Sequence, residues 1–279
     1  MNTLTNRHQI VTTFSIFDDL SAHLKLNKQL SGRKPSLTLA ELATISLIRS
    51  EYNIGNWKGL YKLIKTCYSK EFKLPSYKSF VLLMRQSAKQ IILLLEALFQ
   101  INRKKSGTIK LIDSTPLPVC HNKRIFKHKT MERLASRKKS TMGWFYGLKL
   151  HAMTDIEGNI LYIKFTTAKV DDRQALDQLL EKLEQSIIVA DGGYVSKKLE
   201  EKALKNGNKL LACARKNMGK MTTFLDNCLL NLRPRIETLF SVLKVRYGLV
   251  TSLPRSEEGY FAHYIHVIFG YVFNKSLIS

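Results

Sequence analysis

From residue 38 to about residue 101, apolar positions recur at helical spacing. Thr38 and Glu41 stand three apart, as in a capping box, and Leu39, Leu42, Ala43, Ile45 and Ile48 follow three or four apart, which predicts a helix. A second helix is expected over residues 56–68, where Trp57, Leu60, Tyr61 and Ile64 share a face opposite Lys58, Lys62 and Lys65. Leu74-Pro75-Ser76 interrupts the pattern before a longer helical run to about Ile101. Short basic helices joined by tight turns suit a helix-turn-helix DNA reader, and they suit an ordinary helical bundle equally.

The period changes after Arg103-Lys104-Lys105-Ser106-Gly107, which places a domain boundary at Gly107 between an all-α region, 1–107, and a second domain, 108–279. Residues 108–112 form a β-prone run ending at Asp113, and the prolines of Ser114-Thr115-Pro116-Leu117-Pro118 are expected to stop it. Residues 144–153 and 160–166 read as two strands turned through 155–159. A helix follows over 172–185, then a wholly apolar strand, 186–190, which points to burial on both faces of a sheet. It ends at Asp191, before the turn Gly192-Gly193. A helix over 196–206, a strand over 209–213 and helices near 234–246 and 257–273 complete the chain. Three strands followed by alternating helices and strands predict an α/β fold, a mixed sheet with helices on its faces.

Charge narrows the partner. The chain carries 45 Lys+Arg against 22 Asp+Glu, a net charge of +23, shared as +11 over residues 1–107 and +12 over 108–279. Such an excess repels itself, and it is tolerated when the usual partner is a polyanion, so DNA comes first. It is densest over 121–139, where Lys123, Arg124, Lys127, Lys129, Arg133, Arg137, Lys138 and Lys139 face one acid, Glu132. That run is either a solvated, mobile face or an arm along a phosphate backbone. No apolar stretch approaches the roughly 18 residues of a membrane span, and the N-terminus lacks an apolar signal core, so a cytoplasmic chain without a membrane partner is expected. Cys67, Cys120, Cys213 and Cys228 form no CxxC pair and read as reduced thiols; Cys120, His121 and His128 lack a fourth ligand for zinc.

Three carboxylates stand out. Asp113 and Asp191 each follow an apolar strand, at the ends where α/β sheets place ligands, although each alone could simply cap a turn. Glu237 borders the stripe Ile236, Phe240, Leu243 and Tyr247 of a helix that Pro234 can start, and Lys244 lies two turns on. An exposed salt bridge from Glu237 to Arg233 is the plainer reading. Together the three suit chemistry that holds two Mg²⁺ between carboxylates from different elements. Lys149 and His151 alternate on one strand face, where they either border this site or sit at the surface.

Ile112-Asp113-Ser114-Thr115-Pro116-Leu117-Pro118-Val119, Tyr146-Gly147-Leu148-Lys149-Leu150-His151, Val189-Ala190-Asp191-Gly192-Gly193-Tyr194 and the run from Arg233 to Leu249 occur in that order. In these motifs the chain resembles bacterial insertion-sequence transposases of the DDE class, the insertion sequence 982 type, over most of residues 108–275. The resemblance implies a ribonuclease H-like fold, with Asp113, Asp191 and Glu237 holding Mg²⁺, or Mn²⁺ in its place, as two ions. It implies cutting at the element's inverted repeats to expose a 3′-OH that attacks target DNA, by a homo-oligomer in a synaptic complex that is nucleoid-associated when DNA-bound. Arg233 and Lys244 match the Arg and Lys of a signature around the catalytic Glu, while its Tyr position holds Leu230. Both cations are expected on phosphates beside the scissile bond. A ribonuclease H-like nuclease without strand transfer, or a catalytically inactive DNA-binding relative, are the alternatives.

Overall fold

The structure, a computed structural model, describes residues 7–26, 34–140, 143–213 and 223–278. The first six residues, read above for a signal core, lie outside it. Packing divides the chain into two compact units, residues 1–98 with 243–279 and residues 99–242. This differs from a break at Gly107, because the C-terminal helix packs with the N-terminal ones.

In the first unit, α1 (Arg7–His23), α2 (Leu39–Glu51), α3 (Trp57–Cys67), the first part of α4 (Tyr77–Lys105) and α9 (Glu257–Ile278) form a helical bundle. The capping box is present: the Glu41 N–H donates to the Thr38 hydroxyl at 3.2 Å, and the Thr38 N–H donates to Glu41 at 2.6 Å. α2 is buried along nearly its whole length because α1 and α9 both pack on it. At Gly270 a β-carbon would lie 1.9 Å from the Ser50 hydroxyl, so only glycine lets α9 come this near to α2. Two histidines of α9 enter this core with partners: His266 Nδ1 lies 2.7 Å from the Ser46 hydroxyl, and His263 Nδ1 lies 2.8 Å from Arg49. α3 buries Leu60 and Ile64 and leaves Lys58, Lys62 and Lys65 exposed, as its pattern predicts.

The second unit is built on six strands: β1 (Ile109–Pro118), β2 (Ser136–Ser140), β3 (Gly143–Thr154), β4 (Ile160–Thr167), β5 (Ile187–Ala190) and β6 (Lys209–Ala212). The main order is β4-β3-β1-β5-β6, with β2 also paired to β3. β3 is antiparallel to β1 and β4, whereas β5 is parallel to β1 and β6. This is the mixed sheet with helices on its faces that the order of elements in the sequence predicts. α5 (Asp172–Leu180) and α6 (Lys197–Lys205) cover one face, where Ile112, Met153, Ile188 and Ala190 meet Leu176, Leu180, Leu199 and Ala203. α7 (Phe224–Leu230) packs on β5 and β6, and α8 (Pro234–Val245) starts at Pro234 as expected.

Two expectations are corrected. β1 does not stop at Asp113 but runs to Pro118 in continuous register with β3, up to Pro118↔Gly147. β5 pairs with β1 only through Ile112, so past that residue β1 is an edge where a proline removes no ladder bond on its open side. The basic run is not one loose arm either. Asn122–Lys127 forms a 3₁₀ helix, and Ser136–Ser140 is β2, paired to β3.

Candidate active site

Parallel pairing of β1 and β5 ends with Ile112 opposite Ala190, which sets Asp113 and Asp191 side by side at the end of their shared ladder. Each carboxylate is fixed from behind by the backbone. The Ser114 N–H donates to Asp113 Oδ1 at 2.7 Å, and the Gly192 N–H donates to Asp191 Oδ1 at 2.7 Å. The turn-capping reading is therefore correct for Asp191, which caps the turn after β5, whereas Asp113 sits within β1 and caps no turn; each keeps an oxygen that these backbone bonds do not use.

Glu237 lies in the first turn of α8. The buried stripe of Ile236, Phe240 and Leu243 anchors that helix and leaves Glu237 exposed at its border. Arg233 joins the set: its guanidinium lies 2.7 Å from Glu237 and 3.6 Å from Asp191. Thus the salt bridge expected as the plainer reading exists, and it also reaches a second acid 46 residues earlier in the chain. Arg235 braces the start of α8 by donating to the Ile156 carbonyl at 2.8 Å.

Asp113 senses all of these groups. Burial pushes its carboxyl up to about 6, and the charges of Asp191 and Glu237 push the same way, while the Ser114 N–H and Arg233 oppose them. A carboxylate raised by burial and two like charges is one whose ionised form needs a cation. Arg233 supplies that charge in this structure. The donor set is all oxygen, which fits a hard divalent ion, although among the described residues no three acidic, His or Cys side chains close to ligating separation.

On the opposite face of β1, Ser114 is paired with His151 and Pro116 with Lys149. Both are buried, at 0% and 4% exposure, which excludes the surface reading. Lys149 Nζ donates to Asp172 and to the Val170 carbonyl, at the start of α5. His151 Nε2 lies 2.8 Å from the Thr166 hydroxyl, and Nδ1 lies 3.8 Å from Asp172. Burial lowers His151 to about 4 against the pull of Asp172, so the ring is neutral at pH 7. Tyr194 is buried beside the same groups, with burial and then the charges of Asp172 and Asp113 raising its hydroxyl. Sequence reading missed Asp172 and Tyr194. The signal was present in Lys149 and His151, which alternate on a covered face and so require an acid above them.

The basic residues separate. Lys123, Arg124 and Lys127 are exposed on the 3₁₀ helix. Alternation along β2 exposes Arg137 and Lys139, with Arg137 over the Trp144 ring at 4.8 Å. Lys138 points the other way, within electrostatic reach of Lys149, His151 and Asp171. Lys244 is half-buried on α8, and burial lowers its pKa. No described helix is long and apolar enough to cross a membrane.

A family model described as a transposase DDE domain matches residues 103–256. Solved structures similar to the chain include the piggyBac transposase synaptic complex with hairpin DNA, at 15% identity and TM-score 0.38, covering 79% of this chain and 51% of that one. The chain thus spans about half the length of that relative. The Mos1 transposase paired-end complex with left transposon end is similar at 9% identity and TM-score 0.24, covering 93% and 85%. The Mos1 strand transfer complex is similar at 10% identity and TM-score 0.25, covering 98% of both chains. No curated protein matches the sequence.

Proposed function

Because the chain belongs to the transposase DDE-domain family, we propose that it binds the inverted-repeat ends of an insertion sequence, cuts them with Mg²⁺ or Mn²⁺ and joins the freed 3′-OH to target DNA. The observation that carries this reading is the convergence of Asp113 from within β1, Asp191 from the end of β5 and Glu237 from the first turn of α8 around one guanidinium.

Asp113, Asp191 and Glu237 are the residues that would hold the divalent ions. A bound pair would supply activation of the attacking oxygen and stabilisation of the leaving one. In the cut, a water oxygen bonds to phosphorus while the bond to the 3′ oxygen breaks, and that oxygen leaves as a 3′-OH. In joining, the 3′-OH oxygen attacks a target phosphorus in line and the target's own 3′ oxygen departs. The chain contributes position. Backbone N–H bonds hold Asp113 and Asp191 in one orientation, and the anchored stripe of α8 holds Glu237. Arg233, beside Glu237 and Asp191, is placed to meet the phosphate. Lys244 serves the same strand farther along α8. Lys123, Arg124, Lys127, Arg137 and Lys139 hold the DNA backbone, and α2 with α3 acts as the helix-turn-helix reader of the repeat. Joining two ends at once requires a homo-oligomer.

The test uses purified protein and duplexes carrying the DNA that flanks the gene. Nicking at the repeat end with Mg²⁺ or Mn²⁺ is expected, followed by joining to a second duplex. Asp113→Asn, Asp191→Asn and Glu237→Gln each abolish both steps and leave DNA binding in place. Cleavage by any of the three variants sinks the assignment, and cutting without joining makes the protein a nuclease.

A further inference from the structure

The first unit carries a cavity of about 390 Å³ that the cutting chemistry does not use. It lies where the start of α3 meets the segment leading into α9, and Trp57, Lys58, Tyr77, Arg85, Arg255 and His263 are among its lining residues. We infer that this cavity receives a single unpaired nucleotide of the DNA strand, its base against Trp57 and Tyr77 and its phosphate at Lys58 and Arg255. The inference rests on DNA being the substrate, as proposed above.

Size sets the first limit. The volume is at the low end of the roughly 300–1,000 Å³ of small-molecule sites, so one nucleotide fits and a duplex does not. Lining chemistry sets the second. Trp57 lines the cavity with its ring held by Arg49, 4.4 Å from the centroid, and by the His266 ring, edge-on at 5.4 Å, which fixes the indole as a platform. Tyr77 is 42% exposed at the rim and is held edge-on by Tyr61, with ring centroids 5.4 Å apart. The exposed Tyr77 and the half-buried Trp57 beside cations are the kind of aromatic platform on which sequence-tolerant binding of single strands is built.

Charge then selects an anion. Lys58 and Arg255 are exposed at the mouth, while Arg85 is already paired with Glu258 at 2.9 Å. Lys58 also sits in the first turn of α3, whose positive end adds to its charge. The rim is preformed. The Leu253 N–H donates to the Thr251 hydroxyl at 3.2 Å, and the Gly259 N–H donates to the Ser256 hydroxyl at 3.1 Å. A β-carbon at Gly259 would come within 3.1 Å of that hydroxyl and 3.3 Å of Pro254, so the segment packs closely on α9. Little ordering cost therefore attends binding.

The chain has two tryptophans, so Trp144→Phe leaves Trp57 as the sole tryptophan, excited selectively at the red edge of its absorption. In that background the probes are a blunt repeat-end duplex, the same duplex with a single-stranded oligothymidine tail, and thymidine monophosphate. The tailed duplex is expected to bind on the order of tenfold more tightly than the blunt one and to quench Trp57. Tyr77→Ala and Arg255→Gln remove the preference while blunt-duplex binding persists, and Arg255→Gln, at an exposed position, tests the idea even if the tyrosine variant misfolds. Equal binding of blunt and tailed duplexes overturns the pocket and leaves the transposase reading standing. Quenching by thymidine monophosphate as strong as by the tail also overturns it, in favour of a free-nucleotide site. Binding to no DNA at all overturns both readings.

Discussion

Asp113→Asn should stabilise the protein in chelator at pH 7 while abolishing its chemistry. The aspartate's pKa is raised from 3.8 to about 6, first by burial and then by Asp191 and Glu237. At about 1.4 kcal/mol per pH unit that difference corresponds to roughly 3 kcal/mol, and partial solvent screening brings the expected effect to about 1–3 kcal/mol. The sign follows from proton uptake. Between about pH 4 and 6 the folded state binds the Asp113 proton more tightly than the unfolded chain does. The penalty of the ionised carboxylate is therefore fully present above pH 6 and fades as pH falls toward 4. Asparagine keeps the acceptor for the Ser114 N–H and carries no charge, so it avoids that penalty. Urea unfolding with chelator, from pH 4 to 8, should show the variant ahead at neutral pH and level with the parent near pH 4. Excess Mn²⁺ should reverse the order, because only the parent gains the full binding energy. A variant no more stable than the parent at pH 7, or a difference that does not shrink toward pH 4, refutes the reasoning.

Further predictions follow from the packing. Asp172→Ala leaves the buried Lys149 ammonium without its carboxylate and should cost about 3–5 kcal/mol in denaturant unfolding, whereas the double change Lys149→Met with Asp172→Leu should cost much less. Gly147→Ala would set a β-carbon 2.1 Å from the Leu117 carbonyl, so β1 must separate from β3, with a loss of roughly 2–4 kcal/mol by thermal or chemical unfolding. Thr38→Ala removes one half of the capping box of α2 and should cost about 1 kcal/mol, read as a lower urea midpoint at unchanged slope.

Much of the fold was legible where one period dominated. The capping box, the face of α3, the apolar β5 and the start of α8 at Pro234 each depend on residues within a few positions of one another. What was misread depends on partners distant in sequence. The prolines after Asp113 look like a stop until β5 is seen to leave that edge of β1 open. β2 has charged residues at three successive positions, and only its pairing with β3 makes it a strand. The last helix looks like part of the second domain, yet Gly270 against Ser50 brings it to α2. At the site, Asp191 and Glu237 were readable because one follows β5 and the other lies in the first turn of α8, and Asp113 because it closes an apolar run, although its strand continues past it. The bridging geometry of Arg233 was readable for Glu237, four residues away, and hidden for Asp191, which only the fold brings near.

The most direct test of the central claim is the position of manganese, by anomalous scattering, in crystals soaked with Mn²⁺. The account predicts the strongest peaks between Asp113 and Asp191, with Glu237 turned away from Arg233 to join them. Manganese bound elsewhere on the chain, with the Arg233–Glu237 pair intact and no peak at the two aspartates, would contradict it.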